Sequence, residues 1–171
     1  SLKARAQGLV EAGYPAALAA VSDSKGESAG VAVGKGSLET GQAPPMDGEV
    51  RIGSNTKTFV AVVVMQMVQE GKVGLDEPIE TYLPGLIKGE GIDASRITVR
   101  QLLQHTSGLP EHTDYYFSSN AAALENIQHY IPARDLLDVA LSKPAAFEPG
   151  TQWSYSNTNY IVLGMLIERV S

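Results

Sequence analysis

The chain contains no cysteine, and this absence excludes several kinds of chemistry at once. Disulfide bonds, a thiolate nucleophile and cysteine metal sites all need a thiol. The three histidines, His105, His112 and His129, also lack the H-x-x-x-H and H-E-x-x-H spacings that are typical of zinc sites. We therefore expect no metal and no cofactor.

Positive charge is scarce as well. The 13 Lys and Arg residues are outnumbered by 19 Asp and Glu residues, which gives a formal net charge of −6. No cluster of basic residues is present, so the electrostatic pattern of a nucleic-acid binder is missing and no nucleic-acid partner is expected. With 171 residues the chain is long enough to form one domain with its own core.

Long hydrophobic runs are missing too. The longest, from Phe59 to Val68, is interrupted by Gln66 and is shorter than the ~20 apolar residues of a membrane-spanning helix. Residues 1–10 carry two basic residues but no apolar segment, so no signal peptide is visible. The sequence predicts no membrane span.

Two regions of different pattern follow each other along the chain. Residues 1–53 predict an N-terminal helix and the strands of a sheet region, with a helix at 2–12 and an antiparallel hairpin from 16–21 and 29–33. A further short strand is predicted at 50–52. Residues 54–171 predict a mostly helical region.

The helical region has four main segments. They are predicted at 54–70, 98–105, 133–142 and 159–170, and the second begins with a capping box formed by Thr98 and Gln101. Residues 111–131 show no clear period and predict a loop with a weak helix. The segment 54–70 is apolar on every face, which predicts that this helix is buried.

Ser54 and Lys57 stand at the start of that apolar helix, three residues apart. This spacing predicts a hydroxyl and an amine on one face of the helix. A serine hydroxyl is a weak nucleophile unless a neighbouring base activates it, and a desolvated, neutral lysine amine is such a base. The helix N-terminus would favour negative charge developing at Ser54. We therefore interpret Ser54 as a candidate nucleophile.

A second Ser-x-x-Lys, from Ser22 to Lys25, shows how little the spacing means alone. It runs into Gly26 and predicts a polar hairpin turn, which offers no rigid face for the two side chains.

Further segments give the sequence a specific resemblance. With the motif at Ser54, they resemble the serine β-lactamase and penicillin-binding superfamily, and within it the class C β-lactamases and the D-alanyl-D-alanine carboxypeptidases, whose second motif is Tyr-x-Asn. The matching segments, in the order of the superfamily's motifs, are Arg51 to Lys57, His105 to Pro110, Phe147 to Gly150 and Trp153 to Tyr160.

The resemblance implies a role for each residue of these motifs. Ser54 would be acylated, and Lys57 would be its partner for proton transfer. Tyr155 would be a general acid and base that passes a proton to the leaving group, and Asn157 would hold the substrate's amide. Both Lys57 and Tyr155 stay open as the base.

Several neighbouring residues have other interpretations. Ser118-Ser119-Asn120 fits the Ser-x-Asn motif of other branches, but it lacks the Pro-Gly turn and the following helix found at Tyr155. Trp153 is expected to pack against its neighbours, and His105 is expected to fix its loop.

The expected fold is α+β and β-lactamase/transpeptidase-like, with a helical region against an antiparallel sheet. The superfamily's third motif, Lys-Thr-Gly or His-Thr-Gly, does not follow Asn157, and the look-alike Glu39-Thr40-Gly41 precedes the nucleophile. In the superfamily, the strand that carries this third motif normally gives one backbone N–H of the oxyanion hole, and the other N–H comes from the residue at the position of Ser54. The chain is therefore expected to be the N-terminal part only, with the C-terminal remainder of the same enzyme as its partner.

The resemblance implies a serine hydrolase that acts on peptides containing D-amino acids. A D-alanyl-D-alanine carboxypeptidase is the first expectation, with a small peptide or β-lactam as substrate. A D-aminopeptidase, an esterase and a class C β-lactamase remain open, and so does a non-catalytic penicillin-recognising binding domain. The resemblance further implies a secreted or periplasmic, cell-envelope location.

Overall fold

The structure, a computed structural model, describes all residues from 1 to 171 and divides them into two units, Ser1–Ile52 and Gly53–Ser171. The chain forms α-helices together with two small antiparallel sheets, so it has the expected α+β class. None of the helices has both the length and the apolar character needed to cross a bilayer.

The first unit consists of a helix and a hairpin. Helix α1 spans Leu2–Glu11, and strands β1 (Ala16–Ser22) and β2 (Ser28–Gly34) pair antiparallel, as predicted. The carboxylate of Asp23 closes the turn by accepting hydrogen bonds from the backbone N–H groups of Lys25 and Glu27 at 2.8 and 3.0 Å. An aspartate side chain used in this way is typical of tight turns.

The strand predicted at residues 50–52 is not formed. A strand is defined by its ladder with a neighbouring strand. The only ladder in this unit joins β1 to β2, and residues 50–52 take no part in it. The prediction was wrong because a short run of apolar residues does not reveal whether a partner strand lies beside it.

The second unit contains six of the seven α-helices. Its helices are α2 (Thr56–Gln69), α3 (Val99–Leu103), α4 (Thr113–Tyr116), α5 (Asn120–Asn126), α6 (Ala133–Leu141) and α7 (Asn157–Val170), and its strands are β3 (Lys88–Gly89) and β4 (Ile92–Asp93). The capping box of α3 is confirmed, with both of its bonds present. This helix ends before His105, which has a left-handed φ of 60°.

Helix α7 lies at the centre of this unit. Its residues Val162, Leu163 and Leu166 are fully buried and pack against helices α2, α3 and α6. Burial of side chains of this size contributes about 2 kcal/mol each, so the position of α7 is firmly fixed. The site residues at its N-terminus are therefore also held in a fixed position.

Helix α2 is not buried on every face, which corrects the sequence prediction. Val64 and Met67 are buried, but Phe59, Val62 and Met65 are 65, 52 and 45% exposed. Of the helices of this unit, α7 alone packs extensively against α2, and it covers only one face. A helix that is apolar on every face can be buried on any of them, but its sequence does not show how many faces neighbouring elements cover.

Gly108 lies in the loop between α3 and α4, where the backbone requires glycine. It is buried and has a φ of 77°, and an added Cβ would overlap the carbonyl oxygen of Phe147. A non-glycine residue in this conformation is strained by about 1–3 kcal/mol before any overlap is counted.

We predict that Gly108→Ala lowers the free energy of unfolding by about 3 kcal/mol or more, because strain and overlap add. The matched control is Gly164→Ala in α7, where an added Cβ meets no atom within 4 Å. That variant should be about 1 kcal/mol more stable, as alanine favours a helix. Denaturant unfolding measures both, and equal stabilities for the two variants would contradict the prediction.

Candidate active site

Ser54 lies in a short 3-10 turn, Gly53–Asn55, that leads directly into α2. The predicted helix therefore begins two residues later than expected. The turn still keeps residues i and i+3 on one face, because side chains three apart are eclipsed in a 3-10 helix. Lys57 Nζ donates a hydrogen bond of 3.1 Å to the exposed Ser54 Oγ.

Tyr155 approaches the same oxygen from the segment that precedes α7. Its hydroxyl donates a hydrogen bond of 2.7 Å to Ser54 Oγ, across 101 residues of sequence. Interaction with the Lys57 amine and the hydrogen bond to Ser54 lower the pKa of the Tyr155 phenol, against a smaller opposing effect of burial. Lys57 Nζ also lies 4.8 Å from the centre of the Tyr155 ring, within cation–π range.

Asn157 is the first residue of α7 and holds Lys57. Its Oδ1 accepts a hydrogen bond of 2.6 Å from Lys57 Nζ. The N-cap position of α7 is occupied by Ser156, so Asn157 is not the cap of this helix. The four residues predicted from the sequence, Ser54, Lys57, Tyr155 and Asn157, are thus joined by three hydrogen bonds. The role of Asn157 toward a substrate stays a prediction.

His105 lies beneath Tyr155. Its ring stacks on the phenol with centroids 4.5 Å apart, and its Nδ1 accepts a hydrogen bond of 3.1 Å from the backbone N–H of Ser156. Burial, followed by the positive charge of Lys57, lowers the pKa of His105 and so favours the neutral ring that can accept this bond. His105 therefore fixes the segment that presents Tyr155.

Trp153 differs from its expected packing role. It is 66% exposed, and its only ring contact is an edge contact with His105 at 6.2 Å. The fold around Trp153 therefore leaves most of its side chain uncovered.

The rival motif Ser118-Ser119-Asn120 has a structural role. Ser119 caps α5 by accepting a hydrogen bond of 3.1 Å from the backbone N–H of Ala122. Asn120 is the first residue of that helix, and the whole segment is exposed. The decoy serine Ser22 bonds only to Ser28 across the hairpin.

Glu111 is the main site residue that the sequence did not reveal. Its carboxylate accepts hydrogen bonds from the backbone N–H and from the side chain of Asn157, at 2.6 and 3.2 Å. Burial raises the pKa of Glu111, but hydrogen bonds from Asn157 and Thr113 outweigh this and leave it below its ordinary value. A single acidic residue in an aperiodic loop gives no sequence signal.

Buried polar residues support the site from below. Asn159 accepts a hydrogen bond of 2.5 Å from Ser107, and His112 Nδ1 lies 3.2 Å from the hydroxyl of Thr158. Burial lowers the pKa of His112 below its ordinary value. Asn159 lies on the same face of α7 as Val162 and Leu163. A polar residue within an apolar face is visible in the sequence, and this signal could have predicted that Asn159 is buried.

A cavity of about 370 Å³ opens beside Ser54. Its wall includes the polar side chains Lys57, Asn157 and Tyr160 and the apolar side chains Val60 and Ile161. A mostly apolar wall with a few polar groups is typical of sites that bind small organic molecules. No three His, Asp or Glu side chains gather where they could hold a metal ion.

Comparisons with known proteins show which proteins this chain resembles. Penicillin-binding protein 4* of Bacillus subtilis (strain 168) is 30% identical over 123 residues, which are 70% of this chain and 25% of that protein. The chain thus spans about a quarter of the length of this curated relative.

Solved structures match over nearly the whole chain. A D-stereospecific amidohydrolase from Streptomyces sp. is 35% identical with a TM-score of 0.84, over 100% of this chain and 50% of that chain. D-amino acid amidase from Ochrobactrum anthropi SV3, complexed with L-phenylalanine, is 30% identical with a TM-score of 0.77, over 97% of this chain and 43% of that one. The Beta-lactamase family model matches residues 2–171, so this chain belongs to the Beta-lactamase family.

Proposed function

We propose that this chain carries the acylation site of a serine hydrolase, with Ser54 as the nucleophile. The observation that carries the proposal is the pair of hydrogen bonds that Ser54 Oγ accepts, from Tyr155 at 2.7 Å and from Lys57 at 3.1 Å. Covalent catalysis requires a nucleophile within hydrogen-bond reach of an activating group, and Ser54 has two such groups beside it.

The proposed reaction has two stages. Ser54 Oγ attacks the carbonyl carbon of an amide while its proton passes to Tyr155 or Lys57, and the C–N bond then breaks as the same group protonates the leaving amine. Water next attacks the resulting ester and gives a proton to that group. The bond between Ser54 Oγ and the acyl carbon then breaks and the same proton passes to Oγ, so that a carboxylic acid leaves and Ser54 is regenerated. One proton-transfer group near the serine serves both stages.

Tyr155 is well placed for this proton transfer. The lowered pKa of its phenol favours the phenolate, which is the form that accepts a proton. Lys57 lies beside both groups and stabilises negative charge on either oxygen. The base is therefore proposed to be the Tyr155 phenolate, with Lys57 as its electrostatic partner.

The proposed substrates are amides and peptides in which a D-amino acid adjoins the bond that is cleaved. A D-stereospecific amidohydrolase and a D-amino acid amidase, 35 and 30% identical over nearly the whole chain, support D-amino acid amides in particular. Cleavage of D-alanyl-D-alanine ends is the second candidate, supported by the similarity to a penicillin-binding protein.

The proposal includes a C-terminal remainder of the same polypeptide as the partner of this unit. This chain spans half or less of the solved relatives. The apolar side chains Phe59, Val62 and Met65 on the open face of α2 suit burial beneath such a portion. That portion would also supply the second oxyanion donor.

We predict that a fluorescent penicillin or an activated D-amino-acid ester labels Ser54 stoichiometrically in a preparation that includes the C-terminal portion. Ser54→Ala should abolish the labelling, whereas the matched variant Ser22→Ala, in the other Ser-x-x-Lys, should label like the unchanged protein. Intact-mass measurement and peptide mapping identify the site. Absence of labelling by either reagent would favour a non-catalytic binding domain.

The pH dependence follows from the Tyr155 pKa. A phenolate base is lost as the pH falls, so the acylation rate should rise with pH through the lowered pKa of this phenol, below the range of an ordinary tyrosine. Tyr155→Phe should slow acylation about 10²- to 10⁴-fold and remove this limb. Tyr130→Phe, at a side chain that is 89% exposed, is the control. An unchanged rate and profile in Tyr155→Phe would assign the base to Lys57.

Substrate choice separates the two candidate activities. Mixing a preparation that includes the C-terminal portion with a D-amino acid amide, its L-enantiomer and a D-alanyl-D-alanine peptide should give hydrolysis of the first about 10-fold or more faster than of the others. The trapped acyl group, read by intact mass, names the acyl half of the substrate. Preferential cleavage of the D-alanyl-D-alanine peptide would instead support the carboxypeptidase.

A further inference from the structure

Glu111 connects two separate segments of the site through both of its carboxylate oxygens. Oε1 accepts a hydrogen bond of 2.9 Å from the backbone N–H of Thr113, and Oε2 accepts one of 2.6 Å from the backbone N–H of Asn157. The side chain is only 22% exposed. These bonds join the loop that follows Gly108 to the N-terminus of α7.

This arrangement requires a carboxylate. Each terminal atom of the side chain faces a backbone N–H donor, so both must be acceptors. A glutamine has a single acceptor oxygen, and in either orientation its NH₂ group would face one of the two N–H groups. Leaving a partly buried backbone donor without an acceptor is unfavourable.

The same carboxylate sets the orientation of the Asn157 amide. Nδ2 donates to Glu111 Oε2 at 3.2 Å, which turns the other end of the amide, Oδ1, toward Lys57 Nζ at 2.6 Å. A terminal amide can rotate by 180° and exchange its donor and its acceptor. In the reversed orientation an NH₂ group would face the amine that contacts Ser54.

We propose that Glu111 is a positioning residue that acts on Ser54 through Asn157 and Lys57, by fixing the amide of Asn157 with its oxygen toward the lysine. This assignment rests on the proposed function. It places Glu111 two hydrogen bonds from the Lys57 amine, with no contact to the reacting atoms.

The loop has an anchor that does not involve this carboxylate. Lys143 Nζ donates a hydrogen bond of 2.8 Å to the backbone carbonyl of Glu111. A change at the Glu111 side chain therefore leaves this connection in place, and effects on catalysis can be separated from loss of the loop.

A double-mutant cycle tests the proposal in the preparation that is labelled at Ser54. Acylation rate constants at saturating substrate, and KM, are measured for Glu111→Gln, for Asn157→Ala and for the double variant. Misplaced groups of this kind slow reactions by about 10- to 100-fold, and that loss is expected in the rate constant of Glu111→Gln, with KM nearly unchanged. The double variant should be no slower than Asn157→Ala alone, because coupled residues are not additive.

Two further variants complete the design. Glu125→Gln removes an exposed carboxylate from α5 and should acylate at the unchanged rate. Glu111→Asp keeps the charge but is too short to reach both N–H groups, so it should show the same coupling to Asn157 and serves if Glu111→Gln fails to fold.

The outcomes are distinguishable. Losses that multiply in the double variant, or a change confined to KM, would overturn the assignment of Glu111 while Ser54 labelling stands. An unlabelled parent protein would overturn the proposed function and this assignment with it.

Discussion

The hydrogen bond between Lys57 Nζ and Asn157 Oδ1 is the contact on which the geometry of the site depends. At 2.6 Å it ties the beginning of α2 to the beginning of α7, and both helices reach into the same core. Hydrogen bonds that involve a charged group are about twice as strong as neutral ones. Since α7 is held by fully buried residues, Asn157 cannot follow a movement of Lys57, and the lysine stays beside Ser54.

Charge in the site is arranged around two groups of opposite sign. The hydrogen-bonding interaction with Lys57 is the largest influence on the pKa of Tyr155 and lowers it; the positive charge of Lys57 adds to this effect, whereas the negative charge of Glu111 opposes it more weakly. The neighbouring His105 and His112 have lowered pKa values, first of all because of burial, so they remain neutral scaffolding.

Much of this could be predicted from the sequence, and the reasons are local. The capping box at Thr98, the hairpin at Asp23 and the order of motifs around Ser54 and Tyr155 are each encoded within a few residues. Glu111 escaped prediction because its importance comes from an acceptor geometry shared with Asn157, which is 46 positions away in the chain.

Helix α2 shows what the sequence pattern could not predict. Its composition predicted burial correctly for Val64 and Met67 and wrongly for Phe59 and Val62, because the pattern is the same on both faces. Only the neighbouring elements decide which face is covered. The start of the helix at Thr56 likewise depends on a 3-10 turn whose residues carry no distinct propensity signal.

The contacts at Ser54 also bear on the rate of folding. Lys57 meets Asn157 across 100 residues, and Tyr155 meets Ser54 across 101. Closing so long a segment costs chain entropy before any contact is gained, and contacts of large sequence separation slow folding. During synthesis, Ser54 leaves the ribosome long before the residues that complete its surroundings, so its hydroxyl lacks the contact with Tyr155 until that segment has folded against it.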